Sequence, residues 1–239
     1  MMPWHALFAI ALFLALANSQ QVRAKTYVVC IGVQNYPGRE NDLTLPVKDA
    51  IAMKQLFERN GNAEVILLTD QRATRANIVK AMKQLFGKAT PSDAVAIYFS
   101  GHGAKGALTA YDEHLNYKVL RDIFVKSKAG RRFALIDACH SGSMRKNSNN
   151  EQLRGKNIMF FLSSRTNETS IEHLTLKNGI FTNFLLKALK GGADANKDRV
   201  VSAKELYDFV SSGVIKESKG EQHPVMWGDF SNNMPVMTW

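Results

Sequence analysis

Two short segments of this chain carry side chains that could perform nucleophilic catalysis. His102 follows the apolar run 94–99 within a Ser-Gly-His-Gly segment. Cys139 follows the apolar run 133–136 within an Asp-Ala-Cys-His-Ser-Gly segment. A thiol is mostly protonated at neutral pH, and a neighbouring imidazole lowers the pKa of the thiol and later protonates the leaving amine. These residue types therefore predict a nucleophile and its base, His102 being the base.

Both segments come at the end of a predicted buried strand. Apolar runs rich in Val, Ile, Phe and Tyr suit the central strands of a parallel sheet, and ligands bind beyond the carboxyl ends of such strands. His102 and Cys139 are 37 positions apart, which fits a strand, a crossover helix and an adjacent parallel strand. We therefore expect both side chains at one rim of the sheet, where the amides of Gly103 and Cys139 would bind the oxyanion.

Each residue also has a plainer interpretation. A single cysteine after a strand is usually a small buried apolar residue, and a single histidine is usually a hydrogen-bonded structural residue. The matching positions at two strand ends, within glycine-containing loops, favour catalysis for the pair. His140 is a second candidate base, but adjacent side chains on one loop rarely face each other, so we expect a structural role for His140.

The two segments resemble the signature blocks of a known family. Tyr-Phe-Ser-Gly-His-Gly at 98–103 and Asp-Ala-Cys-His-Ser-Gly at 137–142 look like those of the caspase-like cysteine peptidases, in particular the metacaspase and bacterial caspase-homologue branch. Further similar segments fall where that family has its first strand, first helix and final core helix, at 31–36, 45–50 and 179–186. The resemblance implies an α/β fold, a caspase-like three-layer sandwich with a mostly parallel central sheet flanked by helices. It also implies a cysteine endopeptidase that works with a His-Cys dyad.

The resemblance implies an acidic pocket for the substrate residue that precedes the cut bond. In metacaspases this pocket is lined by the Asp of the matching Asp-Ala pair and by the Asp two residues before the catalytic Cys, here Asp49 and Asp137. Two carboxylates in one pocket repel each other and favour a cation, which implies cleavage after Arg or Lys. Animal caspases have other residues at the positions of Asp137 and His140, which argues against cleavage after aspartate. From the sequence alone, without the resemblance, Asp49 is better explained as a carboxylate that complements the dipole of a helix predicted over 46–60.

The segment 194–205 has the spacing of an EF-hand calcium loop. Oxygen atoms fall at loop positions 1, 3, 5, 7, 9 and 12, and the predicted calcium ligands are Asp194, Asn196, Asp198, Val200, Ser202 and Glu205. Arg199 occupies position 6, where such loops need Gly. The alternative is a capping box in which Ser202 and Glu205 start a helix. The dyad requires no cofactor, and calcium would bind weakly, with a dissociation constant of about 10⁻⁴ to 10⁻³ M.

The N-terminal segment is predicted to lie outside the fold. Residues 6–17 form an uninterrupted apolar run that ends in a small-x-small pattern. The run is short for a membrane-spanning helix, so we expect residues 1–24 to be a signal peptide, cleaved after Ala17 or Ala24, and the protein to be secreted or periplasmic. Residues 25–239 suffice for one peptidase domain. An uncleaved membrane anchor is the alternative.

The two cysteines of an exported chain invite a disulfide, which we do not expect here. Cys30 lies within the continuous apolar run 27–31 and is predicted to be a core residue, while Cys139 must stay free to react. The chain is therefore predicted to fold without a cross-link.

The charge balance restricts the partners. The formal net charge is +10, but the basic residues are spread along the chain without an aromatic-interleaved stripe or a recognised nucleic-acid motif. We expect polypeptide substrates with basic residues, no nucleic acid, no membrane after signal cleavage, and a monomer.

The polar segment 141–157 is predicted to be a loop beside the nucleophile. Its basic residues would be sites of self-processing, and these are Arg145, Lys146, Arg154 and Lys156.

Two functions of other classes remain open at this stage. The domain could be a peptidase-like binding module that has lost its activity, although both reactive residues are present. It could also be a membrane-anchored interaction protein that keeps its apolar N-terminus. Cleavage of a substrate with a basic residue, with and without a thiol alkylator, and the N-terminal sequence of the mature chain separate these alternatives.

Overall fold

The strands of the fold position the candidate site. The computed structural model of the protein describes residues 24–60, 62–138, 150–164 and 178–238. Within these residues the strands are β1 (Thr26–Gly32), β2 (Ala63–Thr69), β3 (Ala94–Ser100), β4 (Gly103–Ala104), β5 (Ala107–Thr109), β6 (His114–Asn116), β7 (Arg131–Asp137), β8 (Ile158–Leu162), β9 (Val200–Ser202), β10 (Val225–Asp229) and β11 (Pro235–Thr238).

Six strands form the central sheet in the order β10, β8, β7, β3, β1, β2. Five of them are parallel, and only β10 runs antiparallel, against β8. Side chains of β3 and β7 are buried along both faces, as their continuous apolar sequences predict. The mostly parallel sheet inferred from the apolar runs is therefore confirmed.

Helices cover both faces of this sheet, and they are α1 (Pro46–Arg59), α2 (Arg75–Phe86), α3 (Tyr117–Lys126), α4 (Ile180–Lys187) and α5 (Ala203–Glu217). The core on one face joins α1, α4 and α5 to alternate strand residues such as Tyr98 and Leu135. The core on the other face joins α2 and α3 to the intervening residues, such as Phe99 and Ile136. The three-layer sandwich is confirmed.

The register aligns the ends of three central strands. Gly32 at the end of β1 is paired with Ser100 at the end of β3, and Ser100 with Asp137 at the end of β7. Because side chains alternate along a strand, Ser100 and Asp137 face the same side as Tyr98 and Leu135, which is the side of α1 and α4. The loops that carry His102 and Cys139 therefore start at the same rim.

Gly32 allows α1 to begin directly against the end of β1. A Cβ atom on Gly32 would lie 2.3 Å from the carbonyl oxygen of Pro46, which is too close for any side chain. Pro46 is the first residue of α1, a position where its missing N–H costs nothing. The close approach places Asp49, in the first helical turn, beside the end of β3.

Two parts of the chain differ from the pattern expected from sequence. The strands β4, β5 and β6 form a separate antiparallel sheet after His102, and they are too short to produce a recognisable alternation. The segment 221–239, which contains Trp227 and Trp239, is predicted from sequence to form a last strand and a cap on the sheet. β10 does join the central sheet, and Trp227 stacks on Phe160 with ring centroids 4.6 Å apart, but β11 pairs with β9 instead.

Several predictions fall outside the described residues. These are the signal peptide, of which only Ala24 is described, Cys139, His140 and the polar loop as far as residue 149. The end of that loop forms a short 3₁₀ helix, Asn150–Leu153, whose Leu153 is buried. Cys30 is fully buried and free, and burial raises the pKa of its thiol far above the ordinary value. In the part of the chain that the structure describes, no helix combines the length and apolar character needed to cross a membrane.

Candidate active site

His102 is held by contacts to both its backbone and its ring. Its backbone N–H donates a hydrogen bond to the hydroxyl of Tyr36 (2.8 Å), and the Tyr36 and His102 ring centroids are 4.8 Å apart. The ring nitrogen Nε2 lies 2.7 Å from the carbonyl oxygen of Asn41. Tyr36 and Asn41 belong to the loop after β1, the neighbour of β3 in the sheet. The imidazole is therefore fixed from the β1 side.

The Asn41 contact assigns the tautomer of the neutral ring. A carbonyl oxygen can only accept a hydrogen bond, so Nε2 of His102 must carry the hydrogen. The other nitrogen, Nδ1, is then left without a proton and is the basic atom of the ring. The sequence offered no third member of the site. The orienting group is a backbone carbonyl, and no residue type could reveal it because every residue has one.

The backbone of Gly103 is directed out of the small sheet. The backbone N–H of Thr109 donates to the carbonyl oxygen of His102 (3.0 Å), so His102 and Thr109 form a hydrogen-bonded pair at the start of the β4–β5 ladder. Pairs alternate along an antiparallel ladder, and the next pair, Gly103 and Leu108, is therefore a non-hydrogen-bonded one. In such a pair the N–H points away from the partner strand. Since β4 is an edge strand of its sheet, the Gly103 amide points away from β5 and out of that sheet.

Cys139 lies outside the described residues, and the structure describes the chain up to Ala138. The Ala138 N–H donates to the hydroxyl of Ser163 (3.1 Å), and that hydroxyl is 3.2 Å from the Ala138 carbonyl oxygen. The Gly101 N–H donates to the carbonyl oxygen of Asp137 (3.2 Å) and so joins the starts of the two loops. The residue before the predicted nucleophile is therefore anchored to β8 and its neighbouring strands.

Asp49 is a buried carboxylate that connects three elements of the sandwich. It is only 1% exposed. Its Oδ1 accepts hydrogen bonds from the Asn178 side-chain amide (2.7 Å) and the Gly179 N–H (3.3 Å), and its Oδ2 accepts one from the Ser100 hydroxyl (3.0 Å). A carboxylate that only complemented the helix dipole would face solvent, so the dipole interpretation does not account for these contacts.

Asp137 is the second carboxylate of the predicted pocket and is 8% exposed. Its Oδ2 accepts hydrogen bonds from the N–H (3.2 Å) and the hydroxyl (2.7 Å) of Thr182, in the first turn of α4, where the helix dipole favours an anion. A Cβ atom on Gly179 would lie 2.9 Å from Asp137 Oδ2 and 3.4 Å from Asp49 Oδ2. Both carboxylates therefore border the same small volume. We call Asp49 and Asp137 the carboxylate pair.

The carboxylate pair is electrostatically unfavourable as a pair of anions. Burial and, second to it, the nearby charge of Asp137 raise the pKa of Asp49 to about 7, against the lowering effect of the hydrogen bonds from Asn178, Ser100 and Gly179. The same two carboxylates help to raise the pKa of the buried Tyr98, whose hydroxyl lies 2.6 Å from that of Thr182. Near neutral pH, either a proton or a cation would relieve the repulsion.

The sequence did not identify the groups that hold this pair. Ser100 and Thr182 lie in segments that carried the family resemblance, but their residue types alone do not distinguish them from ordinary helix caps or strand ends. Asn178 and Gly179 precede α4 and reach Asp49 only because the fold brings α4 beside α1. Such contacts depend on packing between helices that are more than a hundred residues apart, which local sequence patterns do not report.

The predicted calcium loop is closed by its own hydrogen bonds. The Asp194 carboxylate accepts from the N–H groups of Asp198 (3.2 Å) and Arg199 (3.1 Å), and Asp198 Oδ1 accepts from the Val200 N–H (2.8 Å). Arg199 has a φ of +66°, the left-handed conformation that Gly adopts more readily at this position. The chain thus turns at Arg199 in the left-handed conformation although this residue is not a glycine.

Ser202 and Glu205 form the capping box that was the alternative interpretation. The Ser202 hydroxyl accepts from the Glu205 N–H (3.3 Å), and Glu205 Oε2 accepts from the Ser202 N–H (3.0 Å). Across the described ranges, no group of three or more His, Cys, Asp and Glu side chains is arranged to hold a metal ion. In this conformation the carboxylates of Asp194, Asp198 and Glu205 accept hydrogen bonds from backbone N–H groups.

Comparisons with known proteins agree with the signature segments. Residues 25–234 match the caspase domain family. Metacaspase-1 of Candida albicans is 33% identical over 146 residues, which cover 48% of this chain and 32% of that protein. Metacaspase-1 of Cryptococcus neoformans var. neoformans is 34% identical over 151 residues, which cover 52% of this chain and 33% of that protein. The matched part thus spans about a third of the length of these relatives.

A solved structure has a similar fold. The crystal structure of a protein from Geobacter sulfurreducens superposes with a TM-score of 0.66 and covers 87% of this chain and 94% of that chain. The sequence identity is 17%, so this similarity supports the architecture alone.

Proposed function

The chain belongs to the caspase domain family, and from this premise we propose that it is a cysteine endopeptidase that cleaves polypeptides after Arg or Lys. The Cys139 thiol gives its proton to Nδ1 of His102, and the sulfur attacks the scissile carbonyl carbon. The amides of Gly103 and Cys139 bind the oxyanion. His102 then protonates the leaving amine, and water hydrolyses the thioester and restores the thiol.

The preference for a basic residue is supported by one observation, the burial of two carboxylates around one small volume. Burying a charge without compensation is costly, and a raised carboxyl pKa is the usual response. A guanidinium or ammonium group from the substrate would supply the missing positive charge and let both carboxylates ionise. Arg and Lys side chains are also long enough to leave the backbone at the rim while their charge is buried. The pocket therefore favours a cation over an aspartate side chain.

The proposed function is tested with fluorogenic peptides that differ only in the residue before the cut bond. We expect Arg and Lys peptides to exceed the norleucine peptide in kcat/KM by about 100-fold or more, because a site built for a charged group is left unpaired by an apolar one. An Asp peptide should not be cleaved. Equal rates for all peptides would contradict the pocket assignment, and no cleavage of any peptide would favour the lapsed binding module.

A thiol alkylator identifies the nucleophile in the same assay. Cys30 is fully buried and its pKa is strongly raised, so iodoacetamide should not modify it in the folded protein. Alkylation of the native protein should therefore label one cysteine, Cys139, and abolish cleavage. Activity that survives stoichiometric alkylation would contradict a thiol mechanism.

We also propose export and self-processing, which one experiment examines together. The apolar run 6–17 supports signal cleavage after Ala17 or Ala24, and Arg154 and Lys156 are exposed at the described end of the polar loop. N-terminal sequencing of the chains found outside the cytoplasm should give starts after Ala17 or Ala24 in both wild type and Cys139→Ala. New starts after the loop's basic residues should occur in wild type alone. Identical fragments in both proteins would exclude self-processing, and an intact N-terminus would favour the anchor.

Calcium binding at 194–205 is a separate proposal, supported by the EF-hand-like turn at Arg199. Binding would need Glu205 to leave its capping hydrogen bonds, which is consistent with the weak affinity expected. With a dissociation constant of about 10⁻⁴ to 10⁻³ M, about 5 mM calcium would add roughly 1–2 kcal/mol to the free energy of unfolding. The melting temperature should rise by a few degrees in wild type and not in Asp194→Asn. An unchanged melting temperature in wild type would exclude the site.

A further inference from the structure

An open cavity of about 610 Å³ lies beside His102, on the side away from the carboxylate pair. Its wall is formed by the loop after β1, by the start of β4 and by the turn between β5 and β6. We call this cavity the primed groove, and its lining residues are Tyr36, Pro37, Asn41, His102, Gly103, Ala104 and the run 109–114.

The chemistry of cleavage assigns a direction to this groove. His102 delivers its proton to the leaving amine, so the first nitrogen after the cut bond must lie within hydrogen-bond reach of His102. The substrate chain that begins with this nitrogen therefore leaves on the His102 side. The primed groove has His102 and Gly103 in its wall, and it contains none of the residues that hold the carboxylate pair.

The two recesses lie on opposite faces of the central sheet. The carboxylate pair is on the face covered by α1 and α4, whereas Tyr36, Ala110 and Tyr111 of the primed groove pack with the core on the α2 and α3 face. Consecutive side chains of an extended peptide also point in opposite directions. A peptide that lies across the rim can thus place the residue before the cut in one recess and the residue after it in the other.

The charge of the groove is opposite to that of the chain. Among the residues that the structure describes, its lining contains two carboxylates, Asp112 and Glu113, and no Lys or Arg, although the whole chain carries a formal net charge of +10. The Asp112 carboxylate is fixed by hydrogen bonds that its Oδ1 accepts from the backbone N–H groups of Arg75 (2.8 Å) and Glu113 (3.0 Å).

The second carboxylate is able to change partners. Glu113 contacts the Arg75 guanidinium at 3.4 Å, and the two side chains are 57% and 40% exposed, so this ion pair is weak. The Tyr111 ring, which also lines the groove, offers a face on which a guanidinium can stack.

We propose that the primed groove is a substrate subsite that selects Arg or Lys at the first position after the cut bond. The proposal rests on the proposed function, from which it takes the direction of the substrate. Asp112 and Glu113 are the specificity-determining residues, and they act through charge. Together with the carboxylate pair, the groove makes a segment with basic residues on both sides of the cut the preferred substrate.

The test uses internally quenched peptides with a constant Arg before the cut and Lys, norleucine or Glu at the first position after it. In wild type we expect kcat/KM to be about 5-fold to 10-fold higher for Lys than for norleucine, which corresponds to about one partly exposed ion pair of favourable geometry. The ratio should fall as salt is raised, because exposed charges are screened. The Glu peptide should be the poorest of the three.

A double variant and a matched control assign the effect. Asp112→Asn with Glu113→Gln keeps the hydrogen-bonding shapes and should bring the Lys-to-norleucine ratio to about one. The control, Glu58→Gln with Asp122→Asn, removes two carboxylates that lie on α1 and α3 outside the groove, and it should keep the wild-type ratio. Selection for Arg before the cut should be unchanged in both.

The outcomes separate this inference from the proposed function. Cleavage after Arg with a ratio below about two in wild type overturns the subsite alone, and so does a ratio that survives the double variant. A failure to cleave any peptide overturns the proposed function and the subsite with it. A ratio lost in the double variant and kept in the control supports the assignment.

Discussion

Replacing Cys139 with Ala is expected to lower kcat/KM for an Arg peptide by about 10⁴-fold or more, because the attacking sulfur is lost. His102→Ala should have an effect of similar size, because the thiol then keeps its proton and the amine leaves without one. The double variant should be no worse than either single variant, since the two residues act as a unit. The measurement is the initial rate of peptide cleavage, with a thermal melt of each variant to verify folding.

His140 provides the matched control for this prediction. It is adjacent to Cys139 in sequence and is the other candidate base, so His140→Ala should keep activity within a few-fold of wild type. The assignment would be reversed if His140→Ala were inactive and His102→Ala retained more than about a tenth of the activity. The His102 contacts with Tyr36 and Asn41 favour the first outcome, because they fix the ring with Nδ1 as its basic atom.

Neutralising the carboxylate pair is expected to have the second largest effect. Asp137→Asn should lower kcat/KM for the Arg peptide by about 10²-fold to 10³-fold, because removing one partner of a buried ion pair costs roughly 3–5 kcal/mol. Asp49→Asn should act in the same direction. The norleucine peptide should lose much less, so the ratio of Arg to norleucine rates is the diagnostic quantity. A drop shared equally by both peptides would indicate a structural role for these residues.

The pH dependence of that ratio provides a further check on Asp49. Its pKa is about 7 in the free protein, so the group is protonated below this pH and must lose the proton to pair with a substrate cation. The Arg-to-norleucine ratio should therefore fall as pH is lowered from 8 to 6. Asp49→Asn should abolish this dependence. Comparing a ratio removes the pH dependence of the chemical steps, which both peptides share.

The raised pKa of Asp49 also makes the free energy of unfolding depend on pH, and this contribution decreases as pH rises. Because the pKa of Asp49 is raised above its ordinary value of 3.8, the folded state binds this proton more tightly than the unfolded chain does. The contribution of Asp49 to the free energy of unfolding is therefore complete near pH 4 and is lost as pH rises to about 7. Asn mimics the protonated form, so Asp49→Asn should melt at a higher temperature than wild type at pH 8.

The sequence predicted the parts of this protein that have a regular pattern. Apolar runs identified β1, β3 and β7, and parallel pairing then required His102 and Cys139 to follow neighbouring strand ends. The carboxylate pair came from the family resemblance, since an Asp in a first helical turn has a simpler explanation.

The remaining features depend on tertiary contacts or lack a pattern. The Asn41 carbonyl has no residue signature, and Thr182 reaches Asp137 only when α4 packs beside β7. The strands of the small sheet have two or three residues each, which is too few for a periodic signal. The primed groove is built from this sheet, and for that reason no sequence pattern identified its two carboxylates.

The carboxylate pair and the primed groove lie in recesses on opposite faces of the sheet, and this arrangement restricts the backbone conformation in which a substrate can be cut. An extended chain advances about 3.3 Å per residue and alternates its side chains, whereas a helix advances 1.5 Å and turns its neighbours only partly away. A helical segment therefore cannot fill both recesses at once. Susceptible bonds are expected in interdomain linkers, exposed tails and unfolded polypeptides, and a basic pair within a stable helix should resist the enzyme until that helix melts.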